Sequence, residues 1–218
     1  MNEYEFQFTA PAREDDLSEQ ANLAVGIGAM ASRLVAEERT RCVHPDGRAE
    51  NVAEHSLMLV KVAVALAGRF YPHLDAGKVA IYAAGHDDVE AYVGDTPTDL
   101  VNGMPDFTAK EAREKAGLAA LVAEYASIAP DYAATIETYE AQQEPEARFV
   151  RIVDKLMVIL IHIPNQGAEL KRHYTERTFV DNNATIIEKF RNEYPEFTEL
   201  HDLRLELAQY VAEKYLSE

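Results

Sequence analysis

The chain contains no tryptophan and a single cysteine, Cys42, in 218 residues. One cysteine excludes an intramolecular disulfide, which predicts a reducing, cytoplasmic setting. Glycine is sparse. Gly26 and Gly28 follow no strand pattern, so they do not form a phosphate-cradling loop. No apolar run approaches the roughly 20 residues of a membrane span, so no membrane partner is expected. The acidic start, Met1 to Glu5, predicts no secretory signal. Cations are few: 21 Lys and Arg stand against 38 Asp and Glu, a net charge of −17. Such a chain repels polyanions, which argues against a nucleic-acid polymer as partner. A small anion held by a metal and a few local cations stays open. Repeats and low-complexity stretches are absent, and strand patterning nearly so.

What is present is a normal core composition, with 47% hydrophobic residues. Apolar positions recur at helical spacing, which predicts an all-α, single-domain bundle with its site between helices. Residues 1–16 read as an N-terminal arm, 17–165 as the core, and 166–218 as C-terminal helices that pack on the core or form a dimer contact. Asp16 or Ser18 caps a first helix running to about Glu38, and Asn51 with Glu54 caps a second running to Phe70. A third starts near Asp75 and ends in His86-Asp87. Further helices are expected over about 107–127, 131–143, 146–163, 178–193 and 197–216. Arg39 to Glu50 reads as a loop turning at Pro45-Asp46-Gly47, and Glu90 to Pro105 as another loop. Ala112, Ala116, Ala119 and Ala120 read as small packing positions, and His173 and His201 as surface residues.

Three places breach this apolar patterning. His55 sits on the stripe with Leu59, Val62 and Leu66, and Asp154 on the stripe with Val150, Met157 and Ile161. The small apolar run from Val79 to Ala84 ends in His86-Asp87. Charge delivered into an interior is costly unless a metal or a counter-charge meets it. All of these residues are metal-ligand types, and two imidazoles with two carboxylates suit one divalent ion. Glu90 follows His86 by one helical turn, placed to hold water or pass a proton.

The set resembles the HD-domain metal-dependent phosphohydrolases, and within them the 5′-deoxynucleotidase branch. The carrying residues are Arg41, Glu50 to Ser56, His86 to Asp95 with Glu90 and Gly94-Asp95, and Asp154. The resemblance covers roughly residues 20–165. It implies His55, His86, Asp87 and Asp154 as ligands of one divalent ion (manganese, cobalt, zinc, iron or magnesium). It further implies catalytic Glu90 and Asp95, the latter for proton transfer or a sugar hydroxyl. Arg41 would bind the substrate phosphate, and Cys42 stands where the branch carries a large aromatic directly after that Arg, a departure that bears on sugar and base preference. A homodimer is also implied.

The expected enzyme removes the 5′-phosphate of (deoxy)nucleoside monophosphates by attack of a metal-activated water. Two alternatives use the same site. One is a triphosphohydrolase acting on deoxynucleoside triphosphates. The other is a nucleotide-binding sensor without turnover.

Overall fold

The computed structural model describes residues 12–95 and 107–217. Its elements follow the capping signals closely. Ser18 accepts from the Ala21 amide and opens α1, Glu19–Ala36. Asn51 and Glu54 exchange side-chain and backbone bonds in a full capping box at the head of α2, Val52–Phe70. Asp75 caps α3, Ala76–Gly85, by accepting from Gly77 and Lys78. A short α4, Glu90–Val93, follows. Then come α5, Phe107–Tyr125, and α6, Pro130–Ala141. Pro130 and Pro145 stand in the first turns of α6 and α7, Pro145–Leu160, where a missing amide costs nothing. Residues 161–169 turn without a regular helix. The chain closes with α8, Glu176–Glu193, and α9, Thr198–Val211, the latter prolonged by one π turn, Ala212–Leu216.

The expected 39–50 loop is instead a small hairpin. Strand β1, Glu38–Val43, pairs antiparallel with β2, Ala49–Asn51. Its turn is the expected one, with the Gly47 amide donating to the His44 carbonyl at 3.0 Å. Glu38 pairs with Asn51 and Val43 with Ala49, so β1 carries surplus residues as a bulge. Arg41 within it adopts φ 63°, the left-handed region.

Helix α7 is the central element. Phe149, Val150, Val153, Leu156 and Met157 on it are all buried. It packs on α2 and α3 on one side and on α9 on the other. One core cluster joins α2, α3 and α7 through Leu59, Tyr71 and Phe149, with Phe197 and Leu200 from the C-terminal region. A second joins α1, α4, α5 and α6 through Met30, Tyr92, Leu121 and Ile136. A third binds the end of α7 to α8 and α9 through Ile159, Phe179 and Ala208.

Close packing of α1 rests on Gly26, where an added Cβ would meet Ile128 at 2.6 Å. Gly28 faces open space. On α5, Ala112, Ala116 and Ala119 are exposed, and the packing side is Gly117, Leu121 and Tyr125. The phase of that alanine-rich face was set by the larger residues. His201 is buried and not at the surface, its Nε2 lying 3.0 Å from the Tyr194 carbonyl. Residues 96–105, most of the expected Glu90 to Pro105 loop, lie outside the described residues, as does most of the N-terminal arm.

Candidate metal centre

Three segments, α2, α7 and the turn after α3, deliver four donor side chains to one place. The capping box fixes the first turn of α2 and with it His55. Asp154 comes from the middle of α7. His86 and Asp87 come from a tight turn that breaks off after α3, where the Asp88 amide donates to the Gly85 carbonyl and the Glu90 amide to the Asp87 carbonyl. Glycine is required at 85, because a Cβ there would meet Ile136 Cδ1 at 2.5 Å and Asp88 Oδ2 at 3.1 Å.

The donor atoms of His55, His86 and Asp87 lie within 4.8 Å of one another. Asp154 Oδ1 is 2.9 Å from His55 Nε2 and 3.7 Å from His86 Nε2. Asp87 Oδ2 is 3.0 Å from His86 Nε2 and 3.9 Å from His55 Nε2. The two imidazole rings stand with their centroids 5.2 Å apart.

These residues fit a cation. His86 Nδ1 lies 3.0 Å from the Ala83 carbonyl, so that nitrogen carries a proton and donates to it. Its Nε2 is buried and has no hydrogen-bond partner, although carboxylate oxygens stand nearby. His55 has the buried Glu50 behind it, with Oε2 at 3.6 Å from Nδ1. An imidazole backed by a carbonyl and another backed by a carboxylate are oriented as metal-ligating histidines commonly are.

Electrostatics concentrate here. Burial opposes a charged His86, but Asp87 and Asp154 outweigh it and raise the imidazole to about 10. Burial also opposes the Asp87 carboxylate, yet His86 and Arg39 hold it below its usual range. Asp154 is likewise held well down by Lys155, His55 and His86 in spite of burial. Glu90 goes the other way: burial, then the charges of Asp87 and Asp95, raise it well above an ordinary glutamate.

Arg39 is the residue the sequence reading missed. Its Nη1 donates to Asp87 Oδ2 at 2.7 Å and lies 3.7 Å from Glu90 Oε2. Its Nε is 3.5 Å from Glu50 Oε2. One guanidinium therefore serves three acidic side chains around the cluster. Glu50 was also passed over as a functional residue. It lay within the resembling stretch, but nothing local marked it as backing a histidine.

The expected substrate residues line a cavity of about 720 Å³ that opens beside the cluster. Arg41, Cys42, Glu90 and Asp95 all reach its wall, together with Asp87 and Asp154. Glu90 Oε2 is buried without a hydrogen-bond partner. Asp95 follows Gly94, at φ 75°, and accepts from the Thr40 amide at 2.6 Å. Cys42 is buried, and burial pushes its thiol up to about 12. His162 also reaches the cavity wall, and burial lowers its imidazole to about 4. His44 is held by Glu54 at 3.1 Å.

The far wall of the cavity departs from expectation. The C-terminal helices, expected only to pack on the core or form a dimer contact, supply Phe179, Asn183 and Phe190 from α8 and Arg204 from α9.

With this geometry in view, comparison with known proteins is specific. The model of the family described as HD domain matches residues 31–194. The chain belongs to the HD domain family. This HD domain is 34% identical to 5′-deoxynucleotidase VV1113 of Vibrio vulnificus (strain YJ016) over 121 residues, 51% of the chain and 60% of that protein. It is 43% identical to 5′-deoxynucleotidase PM0747 of Pasteurella multocida (strain Pm70) over 63 residues, 27% of the chain and 32% of that protein. The match thus spans less than two thirds of either relative. Among solved structures, the HD domain superposes on a predicted metal-dependent phosphohydrolase from Magnetospirillum magnetotacticum MS-1 with a TM-score of 0.69. That match covers 92% of this chain and all of the other at 23% identity, which shows a shared fold. The PH0347 protein from Pyrococcus horikoshii OT3 gives a TM-score of 0.56 over 84% of the chain, also at 23% identity. No described helix of this HD domain is long and apolar enough to cross a membrane.

Proposed function

We propose that this HD domain is a divalent-metal-dependent phosphohydrolase that removes the 5′-phosphate of (deoxy)nucleoside monophosphates. The observation that carries the reading is the convergence of His55, His86, Asp87 and Asp154 beside a cavity whose wall holds Glu90, with its buried Oε2 free of any hydrogen bond. Those four would hold the ion. Lewis acidity toward a phosphoryl oxygen, and a more acidic water, are the chemistry that such an ion supplies when bound.

The chain's own groups cover the remaining needs of a phosphomonoesterase. The reaction forms a bond from water oxygen to phosphorus, breaks the bond to the 5′ oxygen, and moves one proton to that leaving oxygen. Glu90 is the proton carrier in this reading, held at the cavity wall by Arg39. Asp95 is fixed by the Thr40 amide and faces the same space, suited to the sugar or the leaving oxygen. Arg41 offers a planar fork to the non-bridging phosphate oxygens. Cys42 presents a small buried wall where the deoxynucleotidase branch is expected to carry an aromatic.

The deoxynucleotidase names of the two relatives support the monophosphate substrate. A second reading, release of tripolyphosphate from deoxynucleoside triphosphates, gains support from the reach of the cavity past Asp154 to Lys155 and Arg204. A cytoplasmic homodimer belongs to the proposal, and a monomer mass by light scattering removes the dimer from it.

The test is incubation of metal-supplemented protein with ribo- and deoxynucleoside mono- and triphosphates, read by chromatography. Nucleoside plus free phosphate from monophosphates is expected. Tripolyphosphate as the sole product replaces this reading with the second. Bound nucleotide without any product leaves only a sensor.

A further inference from the structure

The cavity wall holds a buried cation that forms no ion pair among the described residues. Arg204 on α9 is 4% exposed and lines the cavity. Its Nη1 donates to the Lys155 carbonyl on α7. Its Nε is buried and donates to nothing. Arg33, the other buried arginine among the described residues, is paired with Glu124 at 2.6 Å, and the partly buried Arg39 and Arg151 are paired with Asp87 at 2.7 Å and Glu140 at 3.2 Å. Among the described residues Arg204 makes no such pair. Glu169 on the cavity wall is paired with Arg172 and His173 instead, and Asp154 attracts Arg204 only through space.

A buried charge without a partner is costly. Burial lowers this guanidinium to about 10, which still leaves it protonated at neutral pH. A helix-to-helix bond to one backbone carbonyl does not call for a full charge, and an apolar residue would pack α9 on α7 at lower cost. The position supplies the reason. Lys155, whose carbonyl Arg204 binds, places its Nζ 2.6 Å from Asp154 Oδ2 and also lines the cavity. Two cationic side chains, from α7 and α9, therefore line the same cavity as Asp154, in a chain whose net charge is −17. Arg204 falls outside the 31–194 stretch that defines the family match.

We propose that Arg204, with Lys155 beside it, is an anion subsite that receives phosphoryl oxygens of the substrate, so that α9 completes the site. The chemistry recognised is a phosphate oxyanion. It belongs either to the phosphoryl group under attack or to a further phosphate of a polyphosphate substrate. The assignment of this anion to a substrate rests on the phosphohydrolase reading; the anion subsite itself does not.

The experiment is calorimetric titration of inorganic phosphate and of tripolyphosphate into full-length wild-type protein and Arg204→Met, each with and without manganese. Wild type is expected to bind, and Arg204→Met to bind on the order of tenfold more weakly or worse, as for a lost charged hydrogen bond. Weakening of both ligands identifies the reacting phosphate. Weakening of tripolyphosphate alone identifies a further phosphate. Equal affinities in wild type and variant overturn the proposal.

Thermal unfolding separates a structural role. A structural arginine shifts the baseline midpoint but leaves the phosphate-induced rise intact, whereas an anion subsite loses that rise. If Arg204→Met does not fold, Arg204→Gln keeps a donor for the Lys155 carbonyl and gives the same readout. Arg204-dependent phosphate binding with no nucleotide turned over sinks the phosphohydrolase reading and leaves the subsite standing. Turnover with phosphate affinity and KM unchanged in Arg204→Met does the reverse.

Discussion

His55 Nε2 lies 2.9 Å from Asp154 Oδ1, although 99 positions separate them in the chain. Two helices thus meet through a polar contact inside an apolar core. If that contact marks a metal centre, the four donors and Glu90 must separate in their behaviour. His86→Ala and Asp154→Ala are expected to lose bound metal and turnover together. Glu90→Gln should keep the metal and lose turnover by at least about 100-fold, the usual scale for a proton-transfer group. Metal content by mass spectrometry beside initial rates decides it. A Glu90→Gln protein with normal rates removes that residue from the chemistry.

Arg39 and Glu50 stand behind the donors, and their roles are separable too. Glu50→Gln takes the carboxylate from behind His55 Nδ1, and metal affinity is expected to fall roughly 10- to 100-fold. Arg39→Met leaves Asp87, Glu50 and Glu90 without their common counter-charge, so the metal-free protein should lose about 3 kcal/mol. A bound cation replaces much of that counter-charge. Urea unfolding of Arg39→Met with chelator and with saturating manganese should therefore show a larger metal-induced gain than wild type. An equal gain would mean that Arg39 does not act through the cluster.

The two residues also show where sequence reading stopped. Ser18, Asn51, Asp75, Pro130 and Pro145 each carry a local signal, and the helix starts follow them. His55, His86-Asp87 and Asp154 stood out because each breaks a periodic apolar face. Arg39 broke nothing. That Arg39 reaches the acidic cluster depends on the bulge of β1 and the left-handed Arg41, and a strand of three residues paired with a bulged one leaves no alternation to read. Arg204 was invisible for a related reason. A lone arginine on an amphipathic helix looks solvated until the packing of α9 on α7 buries it.

Cys42 offers a test that needs no activity. Its thiol, pushed up to about 12 by burial, leaves on the order of one thiolate in ten thousand at pH 8. Labelling by iodoacetamide should be far slower than in urea-unfolded protein, where the thiol returns to its ordinary range. The rate should also rise with pH well past pH 9. Labelling of the folded protein at the unfolded rate would place Cys42 in solvent, away from the buried wall that the substrate reading gives it.

His162 sets a pH dependence of stability. Burial lowers its imidazole to about 4 from an unperturbed 6.5, so the folded protein keeps it neutral. Between those values the unfolded chain binds the extra proton, and stability must fall as the pH falls. The contribution is fully present above about 7. At pH 5 roughly 2 kcal/mol of it should be gone, from about 1.4 kcal/mol per pH unit across the window below 6.5. Carboxylates titrate over the same range, so the measurement is a difference. Urea unfolding of metal-free wild type and His162→Leu at pH 7.5 and pH 5 isolates the one group, and the leucine variant should lose less on acidification. Chelator throughout keeps proton competition for the metal ligands out of the result. If both proteins lose the same amount, His162 is solvated or paired in solution, and its burial at the cavity wall is wrong.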